Sequence, residues 1–590
     1  MKIQCNCFLL CAVLFLMPQS AFADKQSSSN AQTLTEASKN NEISKVKLLY
    51  LVDQRKLDKT LFEHAIQQPN VEIAIMAIKG VGRIGGDKAV PLLTKPLNSP
   101  QPNIRKAAAF SLGISRSATA TDYLWQRLAI ETSESVRKEL YLALGNIAPS
   151  DIVSKLLKEY QNQEKTEVIA SIFQALVFAI TFSPEIADNI DMRKSQSVID
   201  FAAVLALLER DDMVSYHAGY FLTRIKDINK RISPAQLQKF TVKLKDLNNK
   251  KIFAKLIGKI AVRNHLANRR LLSWLIEQSE NSDIGLATEA IRAMGELLYI
   301  PQAKIQLGKL QASKNNIIAQ TALNSLAESS LQGREIKALL KKQLKNENPA
   351  IVVEAIRGLL KRQQRDEMSW ALNILSHQSA YVKIRFAQMI FDKDPAGFKN
   401  VVAMLAKNKD QKVAEYASKL LSKDKESKSA SLSEHTNPTA NRKINLPLAL
   451  HKQLVRLQTT QGEILLRLNN QAPYTGLNFI RLVESGYYKD TYFSRVIGNF
   501  VAQGGDTIGD GNGSSGQMIR EELSYLPHTK ATVGMATSGK DTGDSQFYIN
   551  LAENIHLDRH YTVFGQVESG MDVALRLSNG DQIISAQVIK

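Results

Sequence analysis

Cysteine is almost absent from this chain of 590 residues: Cys5, Cys7 and Cys11 are the only three, all within the first eleven positions. Once that segment is removed no thiol remains, which excludes disulfides and cysteine chemistry from the rest of the chain. Long apolar runs are also missing beyond the N-terminus, so no later segment is fit to cross a bilayer. Histidine is thin, with nine in all. His217, His265 and His377 stand alone, without a second ligand at metal spacing, and read as surface or core histidines rather than a metal site. Trp125, Trp274 and Trp370 read as packing residues. No arginine-rich tract or nucleic-acid motif occurs. Ser545 and His556 are present without a nucleophile elbow, which argues against a hydrolase.

Residues 1–23 carry Lys2, the apolar run F-L-L-C-A-V-L-F-L-M, and A-F-A before Asp24. A charge, a short apolar core and a small-x-small ending describe a secretory signal peptide cleaved after Ala23. A membrane anchor needs a longer run, and a lipoprotein needs small residues where Leu9 and Leu10 precede Cys11. The expectation is an exported, soluble product, in a bacterial periplasm first and secreted second. Its lack of thiols suits an oxidising compartment. The length exceeds what one core supports, so two or more units are expected. The formal charge of +19 lies wholly upstream, since residues 446–590 hold about 12 basic and 14 acidic side chains. That excess reads as a diffusely basic solvated surface, with weak association with anionic envelope surfaces second. Export sets nucleic acid aside.

Residues 24–41 are polar and rich in Ser, Asn and Gln, and read as a disordered leader. Helical periodicity dominates residues 42–422. I-A-I-M-A-I-K-G-V-G from Ile73, I-R-K-A-A-A-F-S-L-G from Ile104 and V-R-K-E-L-Y-L-A-L-G from Val136 superpose at intervals of about 31 and 32. A second series begins at Leu286, Ile318, Ile351, Val382 and Val413, again about 31 to 33 apart. Each unit has one apolar stripe, and Ala77, Ala108, Ala290, Ala322, Ala355 and Ala417 would let neighbouring helices approach closely. A helix pair cannot bury both faces alone, so the units must stack into a solenoid. The pattern resembles HEAT repeats, including the arginine after Ile104 and Val136. Tetratricopeptide repeats come second, but their aromatic signature is absent. Residues 201–270 fit the register poorly and should bend. A solenoid offers a long concave surface, which implies a protein partner. Residues 423–445 are polar and read as a flexible linker.

From residue 446 the period switches to two. L-V-R-L-Q-T-T at 454–460 and E-I-L-L-R-L at 463–468 flank Gln461 and Gly462 as a hairpin. Residues 472–485 have the spacing of one helix, with Phe479, Leu482 and Val483 inward. Short strands and glycine-rich turns follow, suggesting a small closed β-barrel. Within it, residues 493–506, F-S-R-V-I-G-N-F-V-A-Q-G-G-D, read as two strands around a turn at Gly498 and Asn499. Alternation places Phe493, Arg495 and Ile497 on one face. An arginine among large apolar residues is unusual, because an unpaired buried charge is costly.

With M-A-T-S-G-K-D-T-G-D-S-Q-F-Y-I at 535–549 and L-D-R-H-Y-T-V-F-G at 557–565, this segment resembles the cyclophilin family of peptidyl-prolyl isomerases. The resemblance covers residues 446–590. It implies an antiparallel eight-stranded closed barrel with two helices, following an all-α HEAT-like solenoid, and it implies X–Pro isomerisation without a cofactor. An X–Pro bond tolerates cis, yet rotation faces a barrier of about 18–20 kcal/mol from amide resonance. In the twisted transition state the prolyl nitrogen becomes a better acceptor, and a fixed donor there binds the twisted form selectively. The resemblance assigns that donor to Arg495 and its placement to Gln503. It assigns the proline pocket to Phe500, Val501, Tyr548 and Leu557, the peptide groove to Ala536, Thr537 and Gln546, and substrate binding also to Tyr561.

This chain departs from the family at five places. Ser494 and Tyr561 replace histidines, Val501 a methionine, and Tyr548 a phenylalanine, leaving a hydroxyl that needs a partner. His556 stands in place of the tryptophan linked to cyclosporin-like inhibitors. The expected function is an exported prolyl isomerase for proline-containing protein clients, with the solenoid as a binding arm. The alternative is a scaffold or chaperone that binds proline segments with little turnover.

Overall fold

The computed structural model describes residues 45–188, 201–232, 249–260, 265–329, 334–362, 369–426 and 453–589. The signal peptide, the leader and nearly all of the linker lie outside the described residues, as does the side chain of His265. Helices dominate up to residue 426, and strands dominate from 454. Among the described residues no helix is long and apolar enough to cross a membrane.

The repeats form a continuous inner layer. It comprises α1 (Val71–Ile84), α2 (Pro102–Ser115), α3 (Glu134–Ile147), α4 (Thr166–Phe182), α5 (Met213–Arg224), α6 (Lys250–Ile260), α7 (Ile284–Gly295), α8 (Asn316–Glu328), α9 (Pro349–Arg362), α10 (Ala380–Lys393) and α11 (Gln411–Glu426). Each packs against the next, with shorter helices outside. The two sequence series fall on α1–α3 and α7–α11. The intervening α4, α5 and α6 continue the layer; α5 and α6 fall in the region expected to bend, and the wider intervals that lead into them explain the lost register. Helix starts are written locally: Asn70, Asp283 and Asn315 each accept two backbone N–H groups of the first turn, satisfying donors that a helix leaves unpaired.

Close packing follows from small residues. The six repeat alanines are fully buried. A Cβ on Gly82 would lie 2.6 Å from the Ser111 Cα, one on Gly113 2.7 Å from the Ala143 Cα, and one on Gly145 2.7 Å from the Ala175 Cα. These glycines, one per unit, let α1 through α4 cross almost backbone to backbone. The repeat arginine is structural: Arg105 donates to Glu131 at 2.8 and 2.7 Å and to the carbonyls of Ser99 and Pro100. Burial raises the Glu131 pKa, but Arg105, the Ser133 N–H and Arg127 outweigh it and hold the carboxyl at about 2. His217 is a core histidine whose Nδ1 lies 2.8 Å from the Ala170 carbonyl.

The C-terminal domain is one nine-stranded sheet in the order β3-β9-β1-β2-β8-β6-β7-β5-β4. The strands are β1 (Leu454–Thr459), β2 (Gly462–Leu468), β3 (Thr491–Tyr492), β4 (Arg495–Ile497), β5 (Val501–Gly504), β6 (Thr532–Met535), β7 (Phe547–Asn550), β8 (Val563–Ser569) and β9 (Gln582–Ile589). The eight-stranded closed barrel is thereby corrected to an open half-barrel. Its end strands β3 and β4 do not pair with each other: β3 pairs with β9 and β4 with β5. The hairpin of β1 and β2 forms as expected, and α12 (Pro473–Glu484) buries Phe479, Leu482 and Val483 in the core. The linker boundary also shifts, since α11 runs to Glu426.

The solenoid is docked around this domain along its whole length. Arg55 donates to Asp541 at 3.1 Å, Arg83 to the Leu523 carbonyl at 3.0 Å, and Gln174 to Asp558 at 2.8 Å. Tyr216 donates to the Glu553 carbonyl at 2.7 Å, Asn499 to Glu289 at 3.0 Å, and Tyr416 to Asp510 at 3.0 Å. Phe110 and Tyr525 pack with ring centroids 4.3 Å apart. Arm and half-barrel are one packed body.

One contact makes docking sensitive to acid. Arg116 Nη2 donates to His560 Nδ1 at 2.8 Å, and burial, then Arg116 and His528, lower the His560 pKa to about 4. A free imidazole takes its proton near 6.5, so His560 favours the docked fold above that pH and withdraws the contribution as pH falls toward 4. Denaturant unfolding of the native chain and of His560→Gln should differ by a constant above pH 6.5 and diverge from that constant between 6.5 and 4. Parallel curves throughout would refute the assignment.

Candidate active site

The site is built on the β4–β5 hairpin. Its turn needs a left-handed residue, supplied by Asn499 at φ 58°, a conformation asparagine tolerates. The register sets Arg495 opposite Gln503, and β5 then pairs with β7 so that Gln503 lies opposite Tyr548. One expectation about Arg495 is corrected. Phe493 lies outside the strand and is buried in the core together with Val496, so the alternation is reset between β3 and β4. Arg495 is exposed rather than sharing a buried face.

Val501, Tyr548 and Leu557 form a small apolar cluster of their own, edged by Phe500, Ala536 and Tyr561. The six residues come from β5, the end of β6, β7 and the loop 551–561. The Arg495 guanidinium carbon lies 5.3 Å from the Phe500 ring centroid, within cation–π range. Although the residue as a whole is exposed, neighbouring protein partly desolvates the guanidinium and lowers the Arg495 pKa, and Tyr561 opposes this. Among the described residues no carboxylate pairs with Arg495. Its charge is steadied by a ring face and remains open to an acceptor.

Gln503 Nε2 donates to Gln546 Oε1 at 2.8 Å, and Gln546 donates in turn to the carbonyls of Gly511 at 2.9 Å and Gly513 at 2.8 Å. An amide chain thus fixes Gln503 from the side away from Arg495. Ala536 extends the β6–β7 pairing through its N–H to the Gln546 carbonyl at 2.9 Å. Thr537 follows it, half-buried at the rim. The Tyr548 hydroxyl lies 2.9 Å from His528 Nε2, and His528 Nδ1 lies 3.1 Å from Asp558. Burial drives the Tyr548 pKa well up, so its hydroxyl keeps its proton. Sequence reasoning asked for this partner without finding His528, which only the fold brings beneath the pocket. The Ser494 hydroxyl is buried, with no hydrogen-bond partner among the described residues.

The solenoid frames the same site. A cavity of about 710 Å³ opens beside Arg495 and Gln503 and is lined across the seam by Arg292, Gln320, Arg357 and Arg385. Arg292 also donates to the Gly498 carbonyl at 2.5 Å, holding the hairpin tip. None of these repeat residues carries a local motif that marks it.

Comparison with known proteins bears on both parts. Residues 454–589 match the family described as cyclophilin type peptidyl-prolyl cis-trans isomerase/CLD, and residues 59–145 match HEAT repeats. A peptidyl-prolyl cis-trans isomerase of Synechococcus elongatus is 40% identical over 136 residues, spanning 22% of this chain and 94% of that protein. Peptidyl-prolyl cis-trans isomerase B of Bacillus subtilis is 44% identical over 119 residues, spanning 20% and 83%. A solved cyclophilin type isomerase of Cryptosporidium parvum, in the presence of the dipeptide Ala-Pro, is 27% identical. It covers 23% of this chain and 99% of its own, with a TM-score of 0.22. Through the domain that begins at β1, then, this HEAT-repeat chain belongs to the cyclophilin-type peptidyl-prolyl cis-trans isomerases.

Proposed function

We propose that the chain is an exported isomerase that rotates X–Pro bonds in protein clients, with Arg495 stabilising the twisted imide. The observation that carries the mechanism is a guanidinium without a carboxylate partner beside an apolar pocket. The pocket fixes the prolyl ring by burial, and the acyl side turns. As conjugation is lost, the nitrogen lone pair becomes an acceptor and the guanidinium donates to it. That hydrogen bond is strongest in the transition state and lowers the barrier by differential binding. Gln503 supports the arrangement by ordering the opposite strand. No proton is transferred and no covalent bond changes, so neither a base nor a cofactor enters. Isomerisation of a short X–Pro peptide by the intact chain and by Arg495→Ala tests the mechanism.

The repeats, in this reading, frame the entrance and hold proline-containing clients near the pocket. Crosslinking the intact protein in its envelope should recover proteins attached to the repeat residues that line the cavity beside Arg495, and recovery of none would remove this role. A basic surface supports weak association with anionic envelope surfaces. Export is tested by sequencing the mature N-terminus: a chain beginning at Asp24 is expected, and one retaining residues 1–23 would refute it.

A further inference from the structure

A column of rings and cations crosses the seam between solenoid and pocket. Lys255 Nζ lies 5.2 Å from the centroid of the Tyr220 ring. Tyr220 stacks on His556, centroids 5.7 Å apart at 28°. His556 stacks on Phe500 at 5.5 Å and 27°, and Arg495 lies over Phe500. Tyr220 sits on α5, a repeat helix, and its hydroxyl is 2.5 Å from His556 Nδ1. Burial, then the nearby Arg224, lower the His556 pKa well below the usual imidazole range. The ring is therefore neutral, and the short contact ties its Nδ1 to the tyrosine hydroxyl. One turn earlier Tyr216 holds the Glu553 carbonyl, so the loop carrying His556 is gripped twice by the same helix.

We propose that Tyr220 is a positioning residue of the isomerase site, fixing the His556 ring against Phe500 and, through Phe500, the guanidinium of Arg495. The reading rests on Arg495 as the catalytic donor. Phe500 is both a wall of the proline pocket and the surface on which that donor rests. The His556 ring is stacked by both Tyr220 and Phe500 and tied at Nδ1 to the Tyr220 hydroxyl, so three contacts restrain its orientation. The repeat domain thereby supplies part of the machinery of the half-barrel, from a position 336 residues earlier than the ring it holds.

The test uses the intact chain and a short X–Pro peptide. Offset-stacked ring pairs and one hydrogen bond of this kind correspond to about a tenfold effect. Tyr220→Ala should lower kcat about tenfold, because the donor acts only on the twisted form, with a smaller rise in KM from the loosened Phe500 wall. Tyr220→Phe keeps the stack and should restore most of that loss. Arg83→Met removes interface hydrogen bonds far from the column and should lower the unfolding midpoint while leaving kcat alone. A native kcat in Tyr220→Ala overturns the proposal, and so does an equal loss of kcat in Arg83→Met, which would reduce the effect to docking. If Arg495→Ala keeps its activity, the reading of the site fails instead.

Discussion

Arg495→Ala should lower kcat/KM for X–Pro isomerisation by about 100- to 1,000-fold, the range found when one preorganised donor is removed from a transition-state site. Nearly all of the loss should fall on kcat. The planar ground state offers the guanidinium no acceptor at nitrogen, so removing it costs little before the bond twists. Arg495→Lys keeps the charge but loses the planar fork that lies over Phe500, and should recover only part of the rate. The fold should survive both changes, since the side chain is exposed and no buried carboxylate is left behind. A variant with lost affinity but native kcat would show that Arg495 binds substrate without catalysing. Native kcat/KM would leave a proline-binding scaffold.

Glu139→Ala should destabilise the docked chain by about 3–5 kcal/mol, the cost of breaking a buried ion pair by removing one partner. Arg559 donates to both Glu139 oxygens, one at 2.9 Å, and both side chains are almost fully buried. Its guanidinium also lies 5.3 Å from the Phe110 ring, so loss of Glu139 leaves a buried cation facing an aromatic ring without its anion. The loss should reach the active site, because Arg559 sits at φ 60° between Asp558, which holds His528, and Tyr561. A double-mutant cycle with Arg559→Met, read by denaturant unfolding, isolates the pair: the double variant should be more stable than Glu139→Ala alone. A change within about 0.5 kcal/mol, the range of surface substitutions, would refute the role assigned to this pair.

The repeats were legible because one stripe and one small residue recur every 31 to 33 positions. The pocket was legible because three motifs place its residues, and the structure brings Phe500, Val501, Tyr548, Leu557, Ala536 and Tyr561 into one cluster. Strand phase failed at Phe493 and Ser494, where a two-residue break between β3 and β4 leaves no mark in the run T-Y-F-S-R-V-I. The open sheet was illegible because closure depends on whether two end strands meet, which no local pattern records. The seam was illegible for the same reason. Taken singly, Tyr220 is a helical aromatic and Glu139 a helical acid; each acquires its meaning from a partner more than 300 residues away.

Contacts of such separation, up to 486 residues between Arg55 and Asp541, also set the order of assembly. Local helix pairs can form as soon as each emerges, whereas long-range closure must await both ends and proceeds slowly. The nascent solenoid therefore completes its stacking with its inner side still bare, its arginines hydrated and its aromatic residues unmatched. Only the last quarter of the polypeptide covers them. A chain interrupted before β1 would leave a finished superhelix presenting that bare lining, a natural target for quality-control proteases.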